Sequence, residues 1–203
     1  MKNFPHLAAR VLNTPLLLEP HYAQVFFSAL SKRLDVVELR DESGEIETGE
    51  KLKIGAAAFK SGNKVWDTER GEPYQTINGV AVLTIGGTLV HKNGYLNTYS
   101  GMTGYDGIVA RAQHAANNPQ VKGILMDFDT PGGEVAGCFD ASRALRKIAD
   151  DSGKALWASC FDMNCSAGMA LASTADRRLV TETGIAGSVG VLMAHASFEK
   201  YFE

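Results

Sequence analysis

From about Tyr74 onward the chain alternates short apolar runs with amphipathic stretches, and that alternation limits its fold more than any other feature. "GVAVLTIGG" predicts a strand ending in two glycines, "GILMDFD" a buried strand, "KALWASC" a third ending near Cys160, and "RRLVTE" a fourth. Between them, "TGYDGIVARAQHAANN" sets Tyr105, Ile108, Val109 and Ala112 on one helical face, with Thr103 and Asp106 at capping-box spacing. "GEVAGCFDASRALRKIAD" predicts a second helix, and a third begins near Ser166. Apolar strands separated by helices predict an α/β fold with mainly parallel strands, because a parallel pair needs a crossover and a helix supplies it.

The earlier residues read differently. Residues 1 to about 40 are expected to form a helical arm. In "EPHYAQVFFSALSKRL", Tyr22, Val25, Phe26, Ala29 and Leu30 recur at helix spacing, and Pro20 suits a first helical turn. "DESGEIETGEKLK", residues 41–53, has five acids and two glycines and can bury little. The stretch 41–73 is therefore expected to be a flexible acidic linker, leaving 74–203 as the core.

Composition removes several classes of function. The formal net charge is −3 and no basic tract stands out, so no nucleic-acid partner is expected. Three cysteines without metal-ligand spacing favour a reducing compartment over a disulfide framework, and Cys160 and Cys165 read as core thiols. No metal or cofactor is expected. No apolar run approaches a membrane span, so a soluble, cytoplasmic protein is expected.

Ligands gather in such folds where strands end and helices begin. Two junctions carry unusual residues. In "DTPGGEVAG", Pro131 fixes one backbone angle, and Gly132 and Gly133 reach conformations closed to other residues. Read as a helix start, this turn leaves N–H groups free to stabilise an oxyanion; read plainly, it is a tight turn. In Asn164-Cys165-Ser166-Ala167-Gly168, four of five positions match a G-x-S-x-G elbow. Ser166 is then either a nucleophile on the first turn of a helix or a small residue where helices pack closely. A Ser-His-Asp triad is poorly supported, since only His195 follows the serine. His6, His21, His91 and His114 read as surface or packing residues, and Cys165 acting with His195 is a weaker arrangement still.

Taken together, "DFDTPGGEVAG", "MNCSAGMALASTAD" and "GIAGSVGV" resemble, in order, the signature blocks of signal-peptide-peptidase-A-like serine peptidases. "FPHLAARVLNTPLLLEPHYAQVFFSAL" and "YSGMTGYDGIVAR" resemble the head-maturation proteases of lambda-like phages. The resemblance implies a Clp-protease/crotonase-type spiral of ββα units, usually an oligomer. It implies Ser166 as nucleophile, N–H groups of Gly133 and Ala167 as the oxyanion hole, and Gly132, Gly187, Ser188 and Val189 beside the bound peptide. Its substrates would be phage scaffold, capsid or portal proteins, and the chain itself, inside an immature head in the host cytoplasm.

The family activates its serine with a lysine that lies well beyond the "GSVGV" block. Lys200 falls at what resembles the start of the helix before it, and Lys147 and Lys154 read as solvated surface charges. The chain is thus expected to stop before the family lysine and to turn over little substrate. Two other functions stay open: a non-catalytic assembly or scaffold-binding element, and, ranked last, a crotonase-like enzyme acting on a coenzyme A thioester.

Overall fold

The computed structural model describes residues 11–12, 14–20, 22–23, 27, 39–40, 46–47, 72–92 and 101–193. They fall into two units. One comprises Met1–Leu16, Pro20–Lys60 and Leu192–Glu203, the other Leu17–Glu19 and Ser61–Val191.

In the first unit, strand β1 (Pro15–Leu18) begins, and Pro15 and Leu16 pair antiparallel with Met193 and Leu192. Strands β2 (Leu39–Arg40) and β3 (Ile46–Glu47) pair antiparallel with each other. These elements correct two expectations. The arm is not helical throughout, because residues 15–18 are extended and Pro15 and Leu16 enter a ladder. The acidic stretch 41–53 also carries one short paired strand. Most of the remaining arm and linker lies outside the described residues.

The second unit repeats a pattern of long strand, short strand and helix. Strand β4 (Gln75–Ile77) turns into β5 (Val80–Gly86), followed by β6 (Thr88–Val90), β7 (Met102–Gly104) and helix α1 (Tyr105–Asn117). Next come β8 (Gly123–Thr130), β9 (Gly132–Glu134) and helix α2 (Cys138–Ser152). Strand β10 (Ala155–Cys165) leads to helix α3 (Ala167–Ala172), then β11 (Arg177–Val180) and β12 (Ile185–Gly187). The remaining strand, β13 (Leu192–Met193), is the partner of β1 already described.

The long strands form one sheet in the order β11-β10-β8-β5-β4, with β12 also on β10. All its ladders are parallel except the β4–β5 turn. The short strands β9, β6 and β7 pair parallel in a second sheet. This is the α/β spiral of ββα units expected from the sequence.

Period-two alternation decides which face is buried. Ala81, Leu83 and Ile85 of β5, Ile124, Met126 and Phe128 of β8, and Leu156 and Ala158 of β10 all point into the core. They meet Ile108, Ala112 and Ala115 of α1 and Ala141, Leu145 and Ile148 of α2. Each large apolar side chain buried here contributes about 1.5–3 kcal/mol. The alanines on both helices keep the layer thin.

Two helix starts differ from the sequence reading. The cap of α1 is Gly104, with no side-chain cap, because Thr103 lies in β7 and donates its hydroxyl to the Gly86 carbonyl at 2.6 Å. Asp106 accepts instead from the N–H of Gly107 at 2.9 Å. Helix α2 starts at Cys138 rather than near Gly133, since residues 132–134 stay extended against β6.

Candidate active site

Strand β10 runs past the expected end at Cys160 to Cys165, with an irregularity between Cys160 and Asn164. Beyond it, Met163, Asn164 and Cys165 pair with Ile185, Ala186 and Gly187 of β12. Ser166 follows at once and caps α3 with φ 51° and ψ −106°. An L-residue rarely adopts this conformation, and the surrounding bonds must hold it there. The N–H of Ser166 donates to the Gly187 carbonyl at 2.9 Å, and its own carbonyl accepts from the N–H of Ala170 at 3.2 Å. A strained serine on a sharp strand-to-helix turn is the geometry of a nucleophile elbow.

The Pro-Gly-Gly turn lies directly against this serine. Gly132 has φ +105°, and a Cβ placed on it would come 3.1 Å from Ser166 Cβ and overlap the Leu17 carbonyl. Only glycine fits. The turn is fixed from both sides. Thr130 Oγ1 donates to the Gly87 carbonyl at 2.6 Å and accepts from the N–H of Gly132 at 3.1 Å, while the N–H of Glu19 donates to the Pro131 carbonyl at 2.8 Å. Gly133 is in β9, opposite Leu89, so close that a Cβ would overlap the Leu89 backbone. The turn therefore joins two strands, not a strand and a helix, which corrects the helix-start reading.

The other candidate residues divide by exposure. Ala167, the first residue of α3, is fully buried. Gly187 (φ 145°) and Ser188 (φ 47°) carry the chain past the serine, and Val189 is 80% exposed. Ser166 itself is 2% exposed, and its hydroxyl donates to the Gly190 carbonyl at 3.0 Å. Among the described residues no lysine or histidine side chain hydrogen-bonds to it.

His195 and Lys200 lie outside the described residues. Lys147 is exposed and pairs with Asp151 at 2.9 Å. Lys154 is less solvated than expected, donating to the carbonyls of Ala115 and Asn118 at the end of α1. His91 is exposed, while His114 meets the Tyr74 hydroxyl at 2.9 Å. Cys165 is fully buried, and burial, with smaller effects from Glu19 and Cys160, pushes its thiol up to about 11. It stays protonated at neutral pH and is a poor nucleophile.

Sequence reasoning missed one neighbour of the elbow. Asn164 is 3% exposed, and among the described residues its Oδ1 is buried without a hydrogen-bond partner. That oxygen occupies the space a Cβ on Gly168 would need, and Thr130 Cγ2 crowds the same point. The signal was present: Asn164 stands where the elbow pattern has its first glycine.

Comparison with known proteins agrees with the sequence blocks. Residues 148–203 match Peptidase family S49. The chain is 48% identical over 199 residues to capsid assembly protease C of Escherichia phage lambda, covering 98% of this chain and 44% of that protein. It is 42% identical over 198 residues to the head-tail preconnector protein GP5 of Enterobacteria phage P21, covering 97% and 38%. The chain spans less than half the length of either relative. Among solved structures, an enoyl-CoA hydratase from Mycobacterium avium subsp. paratuberculosis K-10 aligns with a TM-score of 0.39 and 16% identity, over 56% of this chain and 47% of that one. The chain is thus similar to phage proteins named for capsid assembly and for the head-tail preconnector.

Proposed function

We propose that this relative of phage head-assembly proteins carries the nucleophile portion of a serine peptidase that matures the phage head. The single observation that supports it best is Ser166 held at φ 51° against Gly132, since a side chain in that conformation is strained where glycine would not be. Ser166 attacks the scissile carbonyl. The N–H groups of Gly133 and Ala167 receive the developing oxyanion, where one such donor is worth roughly 10²–10³-fold in kcat. Gly132, Gly187, Ser188 and Val189 flank the peptide. The substrates are scaffold, capsid or portal proteins within the immature head, and the working form is an oligomer. The general base is a lysine of the Ser/Lys type, supplied from outside the described residues.

The test is a chimera in which this chain replaces the matching part of the phage lambda protease. It should process scaffold protein, and Ser166→Ala in the chimera should abolish processing. Equal processing by both would overturn the reading. A non-catalytic assembly role is the second reading, favoured by the burial of Ser166 under the Gly190 carbonyl. It predicts normal head assembly with Ser166→Ala.

A further inference from the structure

The first turns of α1, α2 and α3 are joined by two buried polar side chains. Tyr105 opens α1, is 2% exposed, and donates its hydroxyl to the Glu134 carbonyl at 2.7 Å. Glu134 ends β9, one residue beyond Gly133. Cys138 opens α2, is fully buried, and its thiol donates to the Ala167 carbonyl at 3.7 Å. Ala167 in turn opens α3, directly after Ser166. Tyr105 and Cys138 are also neighbours. Burial first, and the Cys138 thiol second, push the Tyr105 hydroxyl well above its ordinary value, so it remains a donor at neutral pH.

Packing does not account for that hydroxyl. Phenylalanine would fill the same space, and a buried hydroxyl is costly unless it is bonded. The bond falls where the strand is weakly held. Strand β9 has three residues and meets β6 through the Leu89–Gly133 pair. Another tie at this end, the His91 N–H on the Glu134 carboxylate at 2.7 Å, is exposed to water.

We propose that Tyr105 is a positioning residue for the oxyanion hole, holding the strand that carries Gly133 and, through Cys138, the helix start that carries Ala167. The inference rests on the reading of Ser166 as nucleophile with those two N–H groups as donors. Gly133 and Ala167 belong to different elements, so their N–H groups serve one oxygen only while β9 and α3 keep a fixed relation. Such donors act at full strength when they are set within about 0.5 Å before the reaction begins. The oxyanion forms only as the carbonyl is attacked, so a loosened hole lowers kcat and spares substrate binding.

The first test uses the full chain and needs no turnover. Two bonded amides report on the elements: Cys138 N–H on the Val135 carbonyl at 3.1 Å, and Ala170 N–H on the Ser166 carbonyl at 3.2 Å. Tyr105→Phe should speed hydrogen exchange at both by about tenfold or more relative to Met126 in β8, as read by NMR. Cys138→Ala should reproduce the effect at Ala170. The second test uses the chimera with the phage lambda protease. There Tyr105→Phe should lower kcat about tenfold or more with KM unchanged. It should weaken inhibition by a peptide boronate, whose tetrahedral adduct occupies the hole, by the same factor. A tyrosine that only supports the fold would lower the melting temperature and leave kcat and boronate affinity of the folded chimera as they were. That result overturns the proposal, and so does unchanged exchange at Cys138 and Ala170. Cleavage that survives Ser166→Ala would overturn the nucleophile reading, and this inference with it.

Discussion

The hydroxyl of Ser166 donates to the main-chain carbonyl of Gly190 at 3.0 Å, and the segment carrying that carbonyl leaves the serine 2% exposed. A nucleophile must give its proton to a base and needs a path for substrate, and this geometry, with the proton held by a carbonyl and the serine buried, gives it neither until residues 187–190 shift. Ser166→Cys is therefore expected to react with iodoacetamide far more slowly than a free thiol, as read by peptide mass spectrometry. Labelling at the free-thiol rate would show the segment to be open in solution.

The strain at Ser166 gives a stability prediction. A non-glycine residue held in such a region costs about 1–3 kcal/mol. Glycine relieves that cost but loses about 0.5–1 kcal/mol through its greater freedom when unfolded. The first effect is larger. Ser166→Gly should melt above Ser166→Ala, by about 2–4 °C for each kcal/mol of net gain. Equal melting temperatures would mean that the elbow is not strained.

Gly132 should behave in the opposite way. At φ +105° a side chain is strained whatever the space, and here the space is filled by the Leu17 carbonyl and Ser166. Gly132→Ala is expected to destabilise by at least about 1–3 kcal/mol, measured by urea unfolding. A neutral result would show that the turn and the serine are not in contact.

Parts of this arrangement were legible in the sequence for physical reasons. The strands of the larger sheet and the face of α1 follow from apolar periodicity, which is local. The approach of the Pro-Gly-Gly turn to Ser166 could be anticipated because strand ends converge in parallel sheets. What stayed hidden depends on distant partners. Thr103 reads as a cap until Gly86 is seen to take its hydroxyl, and Gly133 reads as a helix start until Leu89 is seen beside it. The closeness of Asn164 to Gly168 is a matter of side-chain packing that spacing alone does not encode.

Acid should weaken the protein partly through Asp176. Its Oδ2 accepts from the N–H of Leu156 at 2.8 Å and its Oδ1 from Arg146 at 2.8 Å, and these bonds, the backbone one first, hold its carboxyl below the ordinary value. A carboxylate with a lowered pKa in the folded state contributes stability that is present above its unfolded value, near about 3.9. That contribution is lost as pH falls through the folded value. Asp176→Asn should therefore lower stability at pH 7 and flatten its decline below about pH 4. Parallel pH profiles for the two proteins would remove Asp176 from this role.

The last expectation concerns turnover by the chain itself. Ser166 Oγ is bonded to a carbonyl, and among the described residues no lysine or histidine side chain hydrogen-bonds to it. A serine hydroxyl without an adjacent base stays protonated and is a weak nucleophile at neutral pH. General-base assistance is typically worth about 10²–10⁴-fold, so peptide cleavage by the purified chain should fall below that of the lambda chimera by a factor in that range. The substitution Ser166→Ala should then change little in the isolated chain while abolishing cleavage in the chimera. Robust turnover by the isolated chain, lost on Ser166→Ala, would place a base within it. His195 and Lys200 would be the first residues to substitute.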